Sequence, residues 1–227
     1  MKNFFKRYTL LQIAIHIYAW SKLVMLIFQF FTHNLTANPI QALEQRTGRH
    51  AITLLVLSLA CTPLNNFFGW RELLKRRRAL GLYAFMYATI HLIIFMDLDY
   101  GFAWSLLIQT VAEKPYIIYG LSTFLLLIPL AATSFDIWKK RLGKSWKSLH
   151  QLIYFIAPLA AYHYILSKKG DLFRLQGDLL RPLIYALIIF ILLTFRIPIV
   201  RRALASVRDR ILFLFKKRTL QPKADSG

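Results

Sequence analysis

Long apolar blocks alternate with short polar connections along this chain. Six blocks stand out, at residues 8–31, 51–68, 79–96, 115–135, 149–166 and 182–200. A helix rising about 1.5 Å per residue needs roughly 20 residues to cross a hydrocarbon core of about 30 Å, and each block is near that length. Blocks two to five contain no Lys, Arg, Asp or Glu, while Lys22 lies in the first and Arg196 in the last. Lipid offers no water to backbone polar groups, so such blocks must satisfy their hydrogen bonds internally as helices. The pattern predicts an all-α integral membrane protein. Residues 1–200 form a six-transmembrane-helix bundle, and 201–227 form a basic amphipathic tail along the membrane surface. No connection is long enough for a soluble domain. Pro63, Pro129, Pro158 and Pro198 fall inside blocks and predict kinks. The first block is too long for a removable leader, and no small-residue cleavage site follows it.

Composition agrees with this pattern. Of 227 residues, 57% are hydrophobic, above the roughly 45–50% of soluble domains. A soluble enzyme, a disordered chain and a disulfide scaffold are excluded. Cys61 has no second cysteine to pair with and says nothing of compartment. The net charge of +20 would suggest nucleic acid in a soluble protein, but here it reports topology. Connections on one side, with both chain ends, hold 21 Lys and Arg, against seven on the other. The positive-inside rule puts both termini in the cytoplasm, and no nucleic-acid partner is expected. The acidic residues divide four inside and six outside, which leaves the outer face nearly neutral.

The histidines carry the candidate chemistry. His33 and His50 fall in or beside an outer connection. His16, His91, His150 and His163 lie in or at the ends of spans, where an ionisable side chain is costly and marks function by default. The bland alternative for each is a neutral imidazole bonded to a neighbouring helix. His91 lies twelve residues into the third span, about 18 Å from its inner end. His163 is near the outer end of the fifth span. The two can face each other near the outer surface, as the axial ligands of a six-coordinate b-type haem do. Zinc fits less well, because no third or fourth ligand stands nearby. His150 lies at the inner mouth of the fifth span, about 20 Å from His163, a spacing that suits two stations across one membrane. The residue thirteen before His91 is Arg78, which cannot ligate iron, so an inner haem lacks its span-three ligand. His16 is a conceivable substitute.

Two basic runs lie on the inner side, Lys75-Arg76-Arg77-Arg78 and Lys139-Lys140-Arg141 with Lys144 and Lys147. They suit anionic lipid head groups, a flavin phosphate or an acidic electron donor. Arg46 and Arg49 are candidates for haem propionates on the outer side. There is no Walker A loop, no GxGxxG and no nucleophile–base–acid set. Electrons must therefore arrive from another protein, a quinone or a bound flavin.

Several segments together carry a family resemblance. Thr47-Gly48-Arg49 leads into the second span with its Thr62-Pro63-Leu64. Arg77-Arg78-Ala79-Leu80-Gly81-Leu82 follows, with His91 nine residues on. Lys114-Pro115-Tyr116 opens the fourth span. Leu142-Gly143-Lys144-x-Trp146-x-x-Leu149-His150, Tyr154 and His163 complete the set. In order and spacing the chain resembles the MsrQ (YedZ) family, haem-binding membrane subunits of the bacterial periplasmic methionine sulfoxide reductase system. More widely, it resembles ferric-reductase-like transmembrane domains. The resemblance implies electron transfer through haem b, with FMN also associated. The donor would be the quinone pool or a cytoplasmic flavin reductase. The acceptor would be a periplasmic molybdopterin enzyme, MsrP, which repairs oxidised proteins. It further implies His91, His150 and His163 as metal ligands, and Arg77 and Arg78 at a cytoplasmic flavin or quinone site. Lys114 departs from the Arg usual in the family, which keeps the charge but loses the planar fork. Two rival readings share part of the pattern: a stand-alone transmembrane ferric or quinone reductase, and a non-redox transporter with structural or proton-carrying histidines.

Overall fold

The computed structural model describes residues 9–168, 170–171, 176–203 and 206. Helix α1 (Leu10–Phe31) starts where the Thr9 hydroxyl accepts the Gln12 N–H. Helix α2 (Pro39–Phe68) starts at Asn38, whose side chain caps Gln41 N–H at 3.1 Å, with Pro39 at the first helical position. It ends at Gly69, whose φ of 72° permits the left-handed turn that closes a helix. Helix α3 (Arg71–Ile93) continues into a π-helical stretch, Ile94–Asp99. Gly101 and Phe102, both at positive φ, then reverse the chain into α4 (Trp104–Glu113). Helix α5 (Tyr116–Ala132) leaves α4 at an angle of 110°. Short helices α6 (Asp136–Leu142) and α7 (Lys144–His150) lead to α8 (Ile153–Leu166). A two-residue antiparallel pair, β1 (Gly170–Asp171) and β2 (Gln176–Gly177), precedes α9 (Leu180–Thr194).

The expectation of an all-helical membrane bundle is met. Among the described residues three helices are long and apolar enough to cross a bilayer: α1, α2 and α3 with its π-helical continuation. A fourth arises if α4 and α5 count as one bent span. The last two blocks are interrupted. The fifth is divided by the turn at Gln151 and Leu152 between α7 and α8, and α9 is a shorter apolar helix of 15 residues. Two connections read as loops are partly helical. Helix α2 begins twelve residues before its apolar block, and α4 lies within the connection at 97–114. The amphipathic tail lies almost wholly outside the described residues.

The core is built on α2, which packs most extensively against α3. Helices α8 and α9 close the other side, and α5 packs on α8. Leu54, Leu59, Tyr87, Ile156, Ala157 and Ile189 are buried at its centre. Helix α1 is peripheral. It buries only Ala19 and Leu26, and turns Ile17, Val24 and Phe28 outward, as a lipid-facing helix must.

Arg196, the charge expected at membrane depth, has a structural reason. Pro63 has no N–H, so the carbonyl of Leu59 four residues earlier loses its helical donor. Arg196 Nη2 donates to that carbonyl at 2.7 Å, and its guanidinium lies over the Tyr154 ring at 5.3 Å. The cation thus replaces the bond that proline removes. We expect Arg196→Leu to destabilise the folded protein by about 1–3 kcal/mol, the cost of an orphaned buried carbonyl. The loss should shrink in a Pro63→Ala background, where a backbone N–H returns. Thermal unfolding of the four-member cycle in detergent checks this; equal losses in both backgrounds would contradict it.

Candidate functional site

His91 and His163, the two residues expected to face each other, do so. His91 sits near the end of α3, three residues before the π-helical stretch, and His163 is in the last turn of α8. His91 Nδ1 is 3.0 Å from the Glu44 carbonyl on α2, and His163 Nδ1 is 2.7 Å from the Tyr116 carbonyl on α5. A carbonyl oxygen only accepts, so Nδ1 carries the proton in both rings. Each Nε2 is left with a free lone pair, the form that binds a metal. The ring centroids are 6.3 Å apart with an interplanar angle of 72°. Two imidazoles on opposite sides of one metal, with bonds of about 2 Å, place their centroids roughly 6 Å apart.

The two rings line a cavity of about 710 Å³ between α2, α3, α4, α5 and α8. That is within the roughly 300–1,000 Å³ of cofactor sites. Its walls are largely apolar, with Leu55, Phe95, Leu107 and Phe124 among them, and α4 covers one end through Trp104, Ile108 and Val111. Two glycines stand beneath the histidines, Gly48 under His91 and Gly120 under His163. Gly48 belongs to a motif already read from the sequence. Gly120 was not singled out, and no signal short of the fold would have found it. Glu44, Arg49, Lys114 and Lys168 bring polar groups to the wall. Arg49 Nε is buried with no hydrogen-bond partner, so a ligand carrying carboxylates would meet one unspent donor there, while the equally unpartnered Glu44 Oε1 is an acceptor. Arg46, the other outer arginine, bonds Gln29 instead.

His150 lies apart from this pair. It lines a second cavity of about 560 Å³, beside Arg77, Arg78, Lys75, Lys139 and Lys147. Its Nδ1 is 3.1 Å from the Trp146 carbonyl, its ring stacks on Trp146 at 4.0 Å, and its Nε2 is buried without a partner. The tautomer is therefore the same as in His91 and His163. No other imidazole lines this basic cavity among the described residues. Arg78 pairs with Asp136 at 3.1 Å, and Arg77 reaches the Thr62 hydroxyl.

His16 and His50 bond to hydroxyls, which can donate as well as accept. His16 Nδ1 is 2.7 Å from Tyr83 Oη, and His16 is not among the residues that line the basic cavity. His50 is no loop residue: it is inside α2, 3.3 Å from Tyr18 Oη and packed on the buried Tyr87. The sequence suggested a loop because the part of α2 that precedes the apolar block is rich in polar residues.

Leu55 and Leu127 line both cavities and separate them. Phe124 on one side stacks with Phe85 on the other at 5.6 Å and 10°. Among the described residues no group of three or more His, Cys, Asp or Glu can hold a metal ion. Two imidazoles alone do not complete a zinc site. They do complete iron whose other four ligands come from a porphyrin, and the apolar wall suits that ring.

Comparison with known proteins agrees. Residues 47–161 match the ferric reductase like transmembrane component family. A protein of Xanthomonas axonopodis pv. citri is 37% identical over 189 residues, covering 81% of this chain and 84% of that protein. One from Rhodospirillum rubrum is 39% identical over 193 residues, covering 84% and 89%. Both are named protein-methionine-sulfoxide reductase heme-binding subunit MsrQ. With the matched region holding His91 and His150 and the relatives spanning most of its length, this chain belongs to the MsrQ family of ferric-reductase-like membrane proteins.

Proposed function

We propose that this chain is a haem b electron-transfer subunit of the bacterial inner membrane. It delivers electrons to a periplasmic molybdopterin methionine sulfoxide reductase, MsrP. The observation that carries this reading is the pair of carbonyl-tethered imidazoles, His91 and His163, centred 6.3 Å apart across an apolar cavity. The names of the relatives, heme-binding subunits of a protein-methionine-sulfoxide reductase, support it. In this reading His91 and His163 would hold a haem iron through their bare Nε2 atoms, and that iron would supply one-electron chemistry. The residues of this chain do the rest: Glu44 and Tyr116 hold the tautomers through their carbonyls, Arg49 meets propionate charge, and Leu107, Phe95 and Phe124 exclude water. Methionine sulfoxide chemistry takes place on the partner.

Electrons enter through the basic cavity. Arg77, Arg78 and the lysines around it suit an FMN phosphate, a quinone head group or the acidic face of a cytoplasmic flavin reductase, and the unpartnered His150 Nε2 is the atom that would ligate a metal there. We read six spans with both termini cytoplasmic. The α7–α8 segment and α9 with its continuation form the last two, and the basic inner face rests on anionic lipid.

His91→Ala and His163→Ala should each abolish the six-coordinate low-spin spectrum. Haem affinity should fall by more than the roughly 10–100-fold cost of losing an outer-shell partner. His16→Ala should keep both. Visible spectra and haem per chain decide this, and three variants with wild-type spectra would overturn the ligand assignment. Arg77→Ala/Arg78→Ala should slow haem reduction by the physiological donor by about tenfold or more, while haem content holds. Equal loss of both would assign these arginines to haem binding or the fold. In reduced membranes, haem re-oxidation should require both MsrP and methionine sulfoxide. Re-oxidation by ferric chelates alone would favour a stand-alone reductase.

A further inference from the structure

The two histidine tethers share one construction. Glu44 and Gly48 are four residues apart on α2, as are Tyr116 and Gly120 on α5. In each case the imidazole of a facing helix donates Nδ1–H to the carbonyl of the first residue and lies against the backbone of the second. Side chains on a helix lean toward its N-terminus, so the residue four positions on covers the carbonyl of the first. A ring can reach that carbonyl only if the covering side chain is missing. A Cβ at position 120 would fall 2.6 Å from His163 Cε1 and 2.7 Å from its Nδ1. At position 48 it would fall 3.3 Å from the same atoms of His91. Glycine weakens a helix relative to alanine, so its presence inside both apolar helices needs such a reason. Gly81, by contrast, would bring its Cβ only to 3.6 Å from Ser58 Oγ, an ordinary contact.

We infer that Gly48 and Gly120 are positioning residues, two carbonyl–glycine seats that hold the axial imidazole planes crossed at 72° and so set the electronic state of iron bound between them. This rests on the haem reading above. The seat fixes each ring in two ways: the hydrogen bond sets its rotation about the metal–nitrogen axis, and the bare helix backbone limits how far it can turn. The two seats belong to different helices, α2 and α5, and the planes they hold stand 72° apart. Each imidazole donates π density to the iron d orbital perpendicular to its own plane. Parallel rings raise one orbital above its twin and give a rhombic low-spin ferric EPR signal. Crossed rings raise both alike, which leaves them nearly degenerate and gives a strongly anisotropic signal dominated by one large g value.

The test uses the full chain, haem-loaded and ferric, in detergent. The wild type should show the strongly anisotropic low-spin signal. Gly120→Ala should transfer most of that intensity to a rhombic low-spin or a high-spin signal. Gly48→Ala should shift it the same way but less, in the order of the two contact distances. If Gly120→Ala does not fold, Gly48→Ala decides through the same signal. A rhombic wild-type spectrum overturns the inference, as do folded variants with wild-type line shapes. A wild type that binds no haem at all refutes the functional reading beneath it instead.

Discussion

Two hydrogen bonds organise this protein, one from each facing imidazole to a helix carbonyl. In the apolar interior an imidazole must be neutral and must spend its N–H. A carbonyl partner leaves no choice over which nitrogen is protonated, and so leaves Nε2 bare. That constraint places α2 beside α3 and α5 beside α8 at the level of the histidines. It also dictates small residues where the rings cross the helix backbones. The cavity is what remains between four helices held apart by two rings.

The same rule sorts the other histidines. His150 bonds a carbonyl and keeps a bare Nε2, whereas His16 and His50 bond tyrosine hydroxyls. A hydroxyl accepts either tautomer, so those two contacts tie α1 to the bundle without selecting a metal-binding form. This distinction depends on the partner atom and cannot be read from residue type or depth.

The placement of His91, His163 and His150 was legible because ionisable groups are rare in apolar blocks, and helical rise converts sequence distance into height. Span length was legible for α1, α2 and α3 and less so for the rest, where the breaks at Gln151–Leu152 and between α4 and α5 depend on packing. The separation of His150 from His163 into distinct cavities followed from rise alone. Three features were hidden. Gly120 looks like any glycine in an apolar run until His163 is laid across it. Arg196 looks like a functional charge until Pro63 is seen to free the Leu59 carbonyl. Helix α4 has a connection's composition and becomes a cover only because Gly101 and Phe102 fold it back over the cavity.

The wall between the two cavities has one more implication. Leu55, Leu127 and the stacked Phe85 and Phe124 contain nothing that can take up or release a proton. An electron can tunnel through such a barrier, whereas a hydronium ion finds no foothold in it. On the proposed orientation, each reducing equivalent therefore moves outward as naked negative charge, down the field of an inside-negative membrane. A full crossing gains about 2.3 kcal/mol per 100 mV. Repair on the far side would then draw on the cell's electrical gradient as well as on the donor's chemical potential.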